Sequence, residues 1–357
     1  MAGQYMQRAA TRDYTKWWQK ERTFPWFCQQ VKPPLGDRPG NVVDNYLRCV
    51  YGKQPFWMPA YGWEYNTVWP DAMEECAVPE VEGYDWWGVL WTNSSANTGM
   101  ITKPGTRAIK DFENWKEEVE VPDLSVVDFE TDGKKIQTVQ DPDRVHIYEC
   151  VKGCFERLHE MMPFDETLMA FYTEPELLED FFQMVADYKI DSMTRIFKYY
   201  GRIDGICYHD DWGTARAGFF SYEMLENQIL PATKRIFDFV HEQGKFVELH
   251  SCGRNMAYVP LMIEMGVNQW TPQANVNDMD YLYDTYGKDM TFTIPLPLAA
   301  NLSEEERNKL IHEFVDRYGE TGRMMCALRC ENMADMPAAQ QELVNYSYEY
   351  YNKLYNR

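Results

Sequence analysis

The chain has 357 residues, 45% of them hydrophobic, with 35 basic against 56 acidic side chains and a net charge of −21. That apolar content suffices for one large core or two modest ones. The charge argues against nucleic acid and anionic membrane surfaces as partners. The start, "MAGQYMQRAATRDYTKWWQK", is polar, and no apolar run approaches the roughly 20 residues that cross a bilayer, so a cytoplasmic protein is expected. Nine cysteines without small-domain spacing read as reduced thiols.

Residues 1–54 are expected to form an N-terminal helical extension, and residues 55–357 one catalytic domain. The first strand is predicted at "PFWMPAY" (55–61). The stretch 62–143 is irregular and rich in Gly, Pro and Trp, and reads as long excursions between early strands. "QPFWMPAYGWEYNTVWP" and "GYDWWGVLW" hold six of the twelve tryptophans, most of them explained by core packing. From about residue 144 short apolar runs alternate with helix-sized segments. The runs are "RVHIYEC", "DGICYHD", "KFVELH", "GVNQWT", "MTFTIPL" and "GRMMCAL", and a helix through "MPAAQQELVNYSYEYYNKLY" closes the chain. Alternation of this regularity predicts a parallel α/β sheet, and at this length a TIM-like (β/α)8 barrel, with a doubly wound open sheet as runner-up. The sequence contains neither a Gly-rich phosphate loop nor a G-x-S-x-G elbow.

"KFVELHSCGRN" (245–255) carries the chemistry. In a strand, side chains alternate faces, so Glu248 and His250 share one and Val247 and Leu249 the other. The polar pair would point into the barrel at its C-terminal end, with Cys252 just beyond. His-x-Cys alone does not define a tetrahedral site. "MMCALRCEN" offers two further cysteines: Cys326 reads as a core thiol, and Cys330, past the end of its run, as a ligand. In "CYHDDWG" (207–213), Tyr208 and Asp210 share one face, and His209 and Asp211 the other. Adjacent carboxylates after a barrel strand can hold a proton or orient a substrate, although one of them is also suited to capping the next turn. Cys150 and Cys154 in "ECVKGC" read as structural thiols.

The chain resembles the uroporphyrinogen decarboxylase superfamily, and more closely its cobalamin-dependent methyltransferases. The resemblance rests on "YHDDWG", on "FSYEMLENQILPATKRIFDFVHEQGKFVELHSCG" and on "MIEMGVNQW". Looser support comes from "NYLRCVYGKQPFWMPAY" and from "DWWGVLW" leading to "WKEEVEVPDL". It implies zinc on the pair His250 and Cys252, with Cys330 as the distant third ligand. The Arg-rich N-terminal motif of true uroporphyrinogen decarboxylases is absent, which argues against decarboxylation of a polycarboxylate porphyrinogen.

Zinc with three protein ligands keeps a fourth position open, where it can activate a thiol or polarise an ether oxygen. The expected function is therefore transfer of a methyl group from a small O-methyl compound, an aryl methyl ether above methanol, to a corrinoid. No Asp-x-His-x-x-Gly corrinoid pattern occurs, so a partner protein would carry that cofactor. Asp210, Asp211 and Glu248 would be the catalytic carboxylates, and Tyr61, Trp63, Trp91 and Tyr208 would line the substrate pocket. The alternatives are a methyl-corrinoid:thiol methyltransferase using the same metal, and a metal-free decarboxylase-like or binding protein with buried cysteines.

Overall fold

A computed structural model describes residues 34–73, 75, 82–94 and 99–357. Most of the expected N-terminal extension, residues 1–33, lies outside the described residues. Its described part holds the helix Val42–Val50, whose N-cap Asn41 accepts a hydrogen bond from the Asp44 N–H.

Ten strands form two sheets among the described residues. They are β1 (Tyr65–Val68), β2 (Glu82–Tyr84), β3 (Leu90–Ser94), β4 (Gly99–Thr102), β5 (Val145–Cys150), β6 (Gly205–His209), β7 (Phe246–Ser251), β8 (Gln269–Pro272), β9 (Thr291–Leu298) and β10 (Met324–Cys330). The main sheet has seven parallel strands in the order β1-β5-β6-β7-β8-β9-β10. It curls until β10 meets the segment just ahead of β1: Cys326 N–H donates to Pro59 O (3.0 Å) and Tyr61 N–H to Cys326 O (2.9 Å). The fold is TIM-like, as the alternation predicts. The expected first strand is reduced to one bridge, Ala60 to Cys326, because Pro55 and Pro59 have no N–H to offer a ladder.

Two apolar layers sort the side chains. Val145, Ile147, Cys207, Phe246 and Met325 pack inside the curl with Tyr46, Cys49 and Val50 of the helix Val42–Val50. That helix closes the N-terminal end of the lumen, where Thr291 Oγ1 donates to Cys49 O (2.9 Å). The alternate residues Tyr148, Ile206, Tyr208, Val247, Leu249, Cys326, Leu328 and Cys330 belong to the outer layer beneath the helices. Those helices include Cys154–Met161 and Pro175–Tyr199 after β5, Leu230–Glu242 after β6, Glu304–Tyr318 after β9 and Met336–Leu354 after β10. None among the described residues is long and apolar enough to cross a membrane.

The stretch 62–143, irregular by sequence, contains β1 and the small antiparallel sheet β2-β3-β4. Asp85 organises its hairpin, accepting from Trp87 N–H, Val89 N–H and Trp91 Nε1, each at 2.9 Å. Buried Arg157 ties this sheet to the barrel: Nη2 lies 2.7 Å from Glu75 Oε2 and Nη1 lies 3.5 Å from Asp85 Oδ2.

Candidate metal centre

Strands β6 and β7 run side by side with Cys207 opposite Glu248 and His209 opposite His250. All four side chains share the lumen parity of Phe246 and Cys207. The two imidazole rings lie 4.6 Å apart, tilted by 32°. Just past the strand ends, Asp211 and Cys252 meet: Cys252 N–H donates to Asp211 Oδ1 (2.6 Å). Cys252 Sγ lies 3.5 Å from His250 Nε2. Zinc bonds of about 2.3 Å to sulfur and about 2.05 Å to nitrogen, at a tetrahedral angle, set those atoms about 3.6 Å apart. The donor atoms of Asp211, His250 and Cys252 all lie within 4.8 Å of one another, and all three residues are half-buried.

The loops that carry this trio are locked together. Gly253 has φ +100°, and a Cβ there would stand 2.3 Å from the Gly213 carbonyl carbon, so the loops after β6 and β7 touch backbone to backbone. Trp212 N–H and Asn255 Nδ2 both donate to Ser251 Oγ (3.1 and 2.9 Å), and Arg254 N–H donates to Thr214 O (2.8 Å). Burial, and then the neighbouring His209, hold the His250 imidazolium well below the usual range, so the ring presents a neutral lone pair. Burial and the Asp211 charge push the Cys252 thiol up to about 12, so a nearby cation is required to make it a thiolate ligand.

A second cluster lies one step deeper. Glu149, Cys207 and His209 also bring their donor atoms within 4.8 Å of one another. His209 Nε2 is 2.8 Å from Glu149 Oε2 and 3.4 Å from Cys207 Sγ. Burial works against protonation of His209, but the hydrogen bond and charge of Glu149 outweigh it and raise its pKa. Beside this cluster, Tyr61 Oη and Thr271 Oγ1 each donate to Glu248 Oε1 at 2.6 Å. Glu248 Oε2 is buried with no hydrogen-bond partner among the described residues, and burial lifts this carboxyl to about 7.

The other nominated residues stand elsewhere. Asp210 is buried and accepts from Phe155 N–H (3.3 Å) and Glu156 N–H (2.8 Å), the first turn of the helix Cys154–Met161. Gly153 allows that approach, since a Cβ there would be 2.5 Å from Asp210 Cβ. Tyr208 is buried in the outer layer, its hydroxyl accepting from Cys154 N–H (3.0 Å). Trp91 is buried beside Asp85, with Lys152 Nζ 4.8 Å above its ring, and Trp63 is half-buried against the outer layer. Cys330 shares neither cluster. The alternation that turns Met325 into the lumen turns Cys326 and Cys330 toward the helices, and Cys330 Sγ lies 4.0 Å from Met336 Sδ. Glu149, Cys207 and His209 were not singled out from the sequence. The available signal was the mirrored spacing, Cys-x-His on one strand and His-x-Cys on the next.

A family model described as uroporphyrinogen decarboxylase (URO-D) matches residues 95–336. Among solved structures, a methyltransferase from Methanosarcina mazei superposes with a TM-score of 0.55 at 11% identity, covering 87% of this chain and 99% of that one. At that identity the likeness speaks for the fold alone. Xylanase B from Clostridium stercorarium F9 matches with a TM-score of 0.33 at 9% identity, over 56% of this chain and 71% of that one, too weakly to carry an argument. No curated protein sequence matches.

Proposed function

The chain belongs to the uroporphyrinogen decarboxylase family, and from that premise we propose a zinc-dependent methyltransferase that moves a methyl group from a small O-methyl compound to a corrinoid carried by a partner protein. The observation that carries this reading is the trio Asp211, His250 and Cys252, with its 3.5 Å sulfur–nitrogen spacing. One thiol, one imidazole and one carboxylate form a borderline donor set that suits zinc better than magnesium or calcium. Bound there, zinc would supply a Lewis acid that eases departure of the substrate oxygen.

The chain's own residues prepare that position. Asp211 is oriented by the Cys252 N–H, leaving its second oxygen for the ion. Three protein donors leave a fourth direction open for the substrate oxygen. Glu248 acts as a positioning residue, because its Oε1 holds the Tyr61 hydroxyl and so fixes the ring, which packs 5.1 Å from the Tyr65 ring. These aromatic walls favour an aryl methyl ether over methanol.

The test combines elemental analysis with a donor screen. The purified protein is expected to hold zinc and to release a phenol from an aryl methyl ether when a reduced corrinoid protein is present. Cys252→Ala should lose demethylation and the zinc held at the mouth. A C252A variant that keeps full zinc and full demethylation overturns the reading.

A further inference from the structure

We propose a second metal site, deeper in the lumen, where Glu149, Cys207 and His209 bind another borderline divalent cation of the zinc type. It adds an ion to the site at the mouth and does not depend on that reading. The two strands carry the same ligand pair in opposite order, Cys-Tyr-His on β6 and His-Ser-Cys on β7. Register sets His209 beside His250, so Cys252 falls two residues beyond that row, at the mouth, and Cys207 two residues below it. The inner sulfur–nitrogen separation is 3.4 Å against 3.5 Å for the outer pair. Both match the spacing of about 3.6 Å that a tetrahedral zinc imposes.

Electrostatics points the same way. Four buried acids elsewhere have cations, Glu64 with Arg38, Glu75 and Asp85 with Arg157 and Glu160 with Lys152, while Asp210 and Asp132 are met by several neutral donors instead. The lumen acids Glu149 and Glu248 have no lysine or arginine ion pair among the described residues, and the one ion-pair partner of Glu149 there is His209. Uncompensated buried charge is expensive, and a divalent ion offsets it. Glu248 gives an independent sign. It is the register partner of Cys207, and its buried Oε2 has no hydrogen-bond partner among the described residues. A cation beside Cys207, directly or through its own water, satisfies that oxygen.

Binding conserves protons simply. The Cys207 S–H bond breaks, a metal–sulfur bond forms, and one proton leaves to solvent. The Glu149–His209 hydrogen bond gives way to one bond from each residue to the ion. Two bonds of about 2.1 Å hold those atoms about 3.4 Å apart, a small opening of the present contact. The Nε2–H that meets Glu149 must also leave Nε2: in a neutral ring it passes to Nδ1 through solvent, and an imidazolium releases it to solvent as a second proton.

The test is a cobalt(II) titration of the full chain, read by thiolate-to-cobalt absorption and by elemental analysis. Wild type, Glu149→Gln, Cys207→Ser and Cys252→Ser are compared. Two ions in wild type, and one in each variant, is the expected result. One ion in wild type, kept by E149Q and C207S but lost by C252S, overturns the inner site and leaves the outer one standing. One ion kept by C252S and lost by C207S supports the inner site while overturning the outer. One ion lost in all three variants also overturns it, as a single shared centre. E149Q is nearly isosteric, so it decides the matter if C207S does not fold.

Discussion

Two cysteines close a barrel strand in similar settings, "LHSCG" and "LRCEN", yet they face opposite sides of the sheet. Cys252 continues the lumen face of β7 and meets His250 and Asp211. Cys330 has the parity of Cys326 and Leu328 and sits under the helix layer. The lumen-side residue at that point of β10 is Arg329, which is exposed. In a period of two, one residue decides whether a thiol can reach a metal or only a neighbouring methionine.

The largest effect separates these cysteines directly. Cys252→Ala should weaken zinc by more than the roughly 10–100-fold lost with an outer-shell partner, because it removes a ligand itself. Cys330→Ala should leave zinc unchanged and cost about 1 kcal/mol of stability. Zinc titration and urea unfolding of both variants check this. If C330A loses zinc and C252A keeps it, the lumen parity argument fails.

A second contrast lies between acids with a buried cation and acids without one. Arg157→Ala removes the cation beside Asp85 and leaves Glu75 with Lys189 alone, in the interior beside the small antiparallel sheet. Breaking a buried pair by removing one partner costs about 3–5 kcal/mol, so R157A should lower the unfolding midpoint sharply. In the lumen the compensating charge would be a removable ion. Chelation should therefore destabilise the protein, by about 2.7 kcal/mol if free zinc had stood at 100 times its Kd. Calorimetry with and without chelator reads the shift, and an unchanged Tm would mean that the lumen acids need no ion.

How much of this was legible follows from the same parity. The runs from "RVHIYEC" to "GRMMCAL" became β5 to β10 because buried parallel strands are short apolar segments between helices. The shared faces of Glu248 with His250, and of His209 with Asp211, could also be read by counting. Which face turns inward depended on packing, and that packing put Tyr208 and Asp210 against the helix Cys154–Met161. Register across strands was likewise hidden, so the meeting of Glu149 with His209, 2.8 Å apart across β5 and β6, had no local signature. The sheet β2-β3-β4 was missed because its strands are three to five residues long and owe their form to pairing with each other.

The smallest effect concerns Glu248. Its Oε1 receives both Tyr61 and Thr271, while Oε2 receives nothing from the described protein. Tyr61→Phe and Thr271→Val each delete one donor, and each should cost about 1–2 kcal/mol, since the remaining hydroxyl still holds the carboxylate. The double variant leaves a buried carboxylate with no protein donor, so its cost should exceed the sum by at least about 0.5 kcal/mol. Urea unfolding of the four proteins, stripped of metal, measures that coupling. Repeating the cycle with zinc restored sharpens it: an ion serving Oε2 would remove most of the excess, because Glu248 would then keep a partner that neither substitution touches.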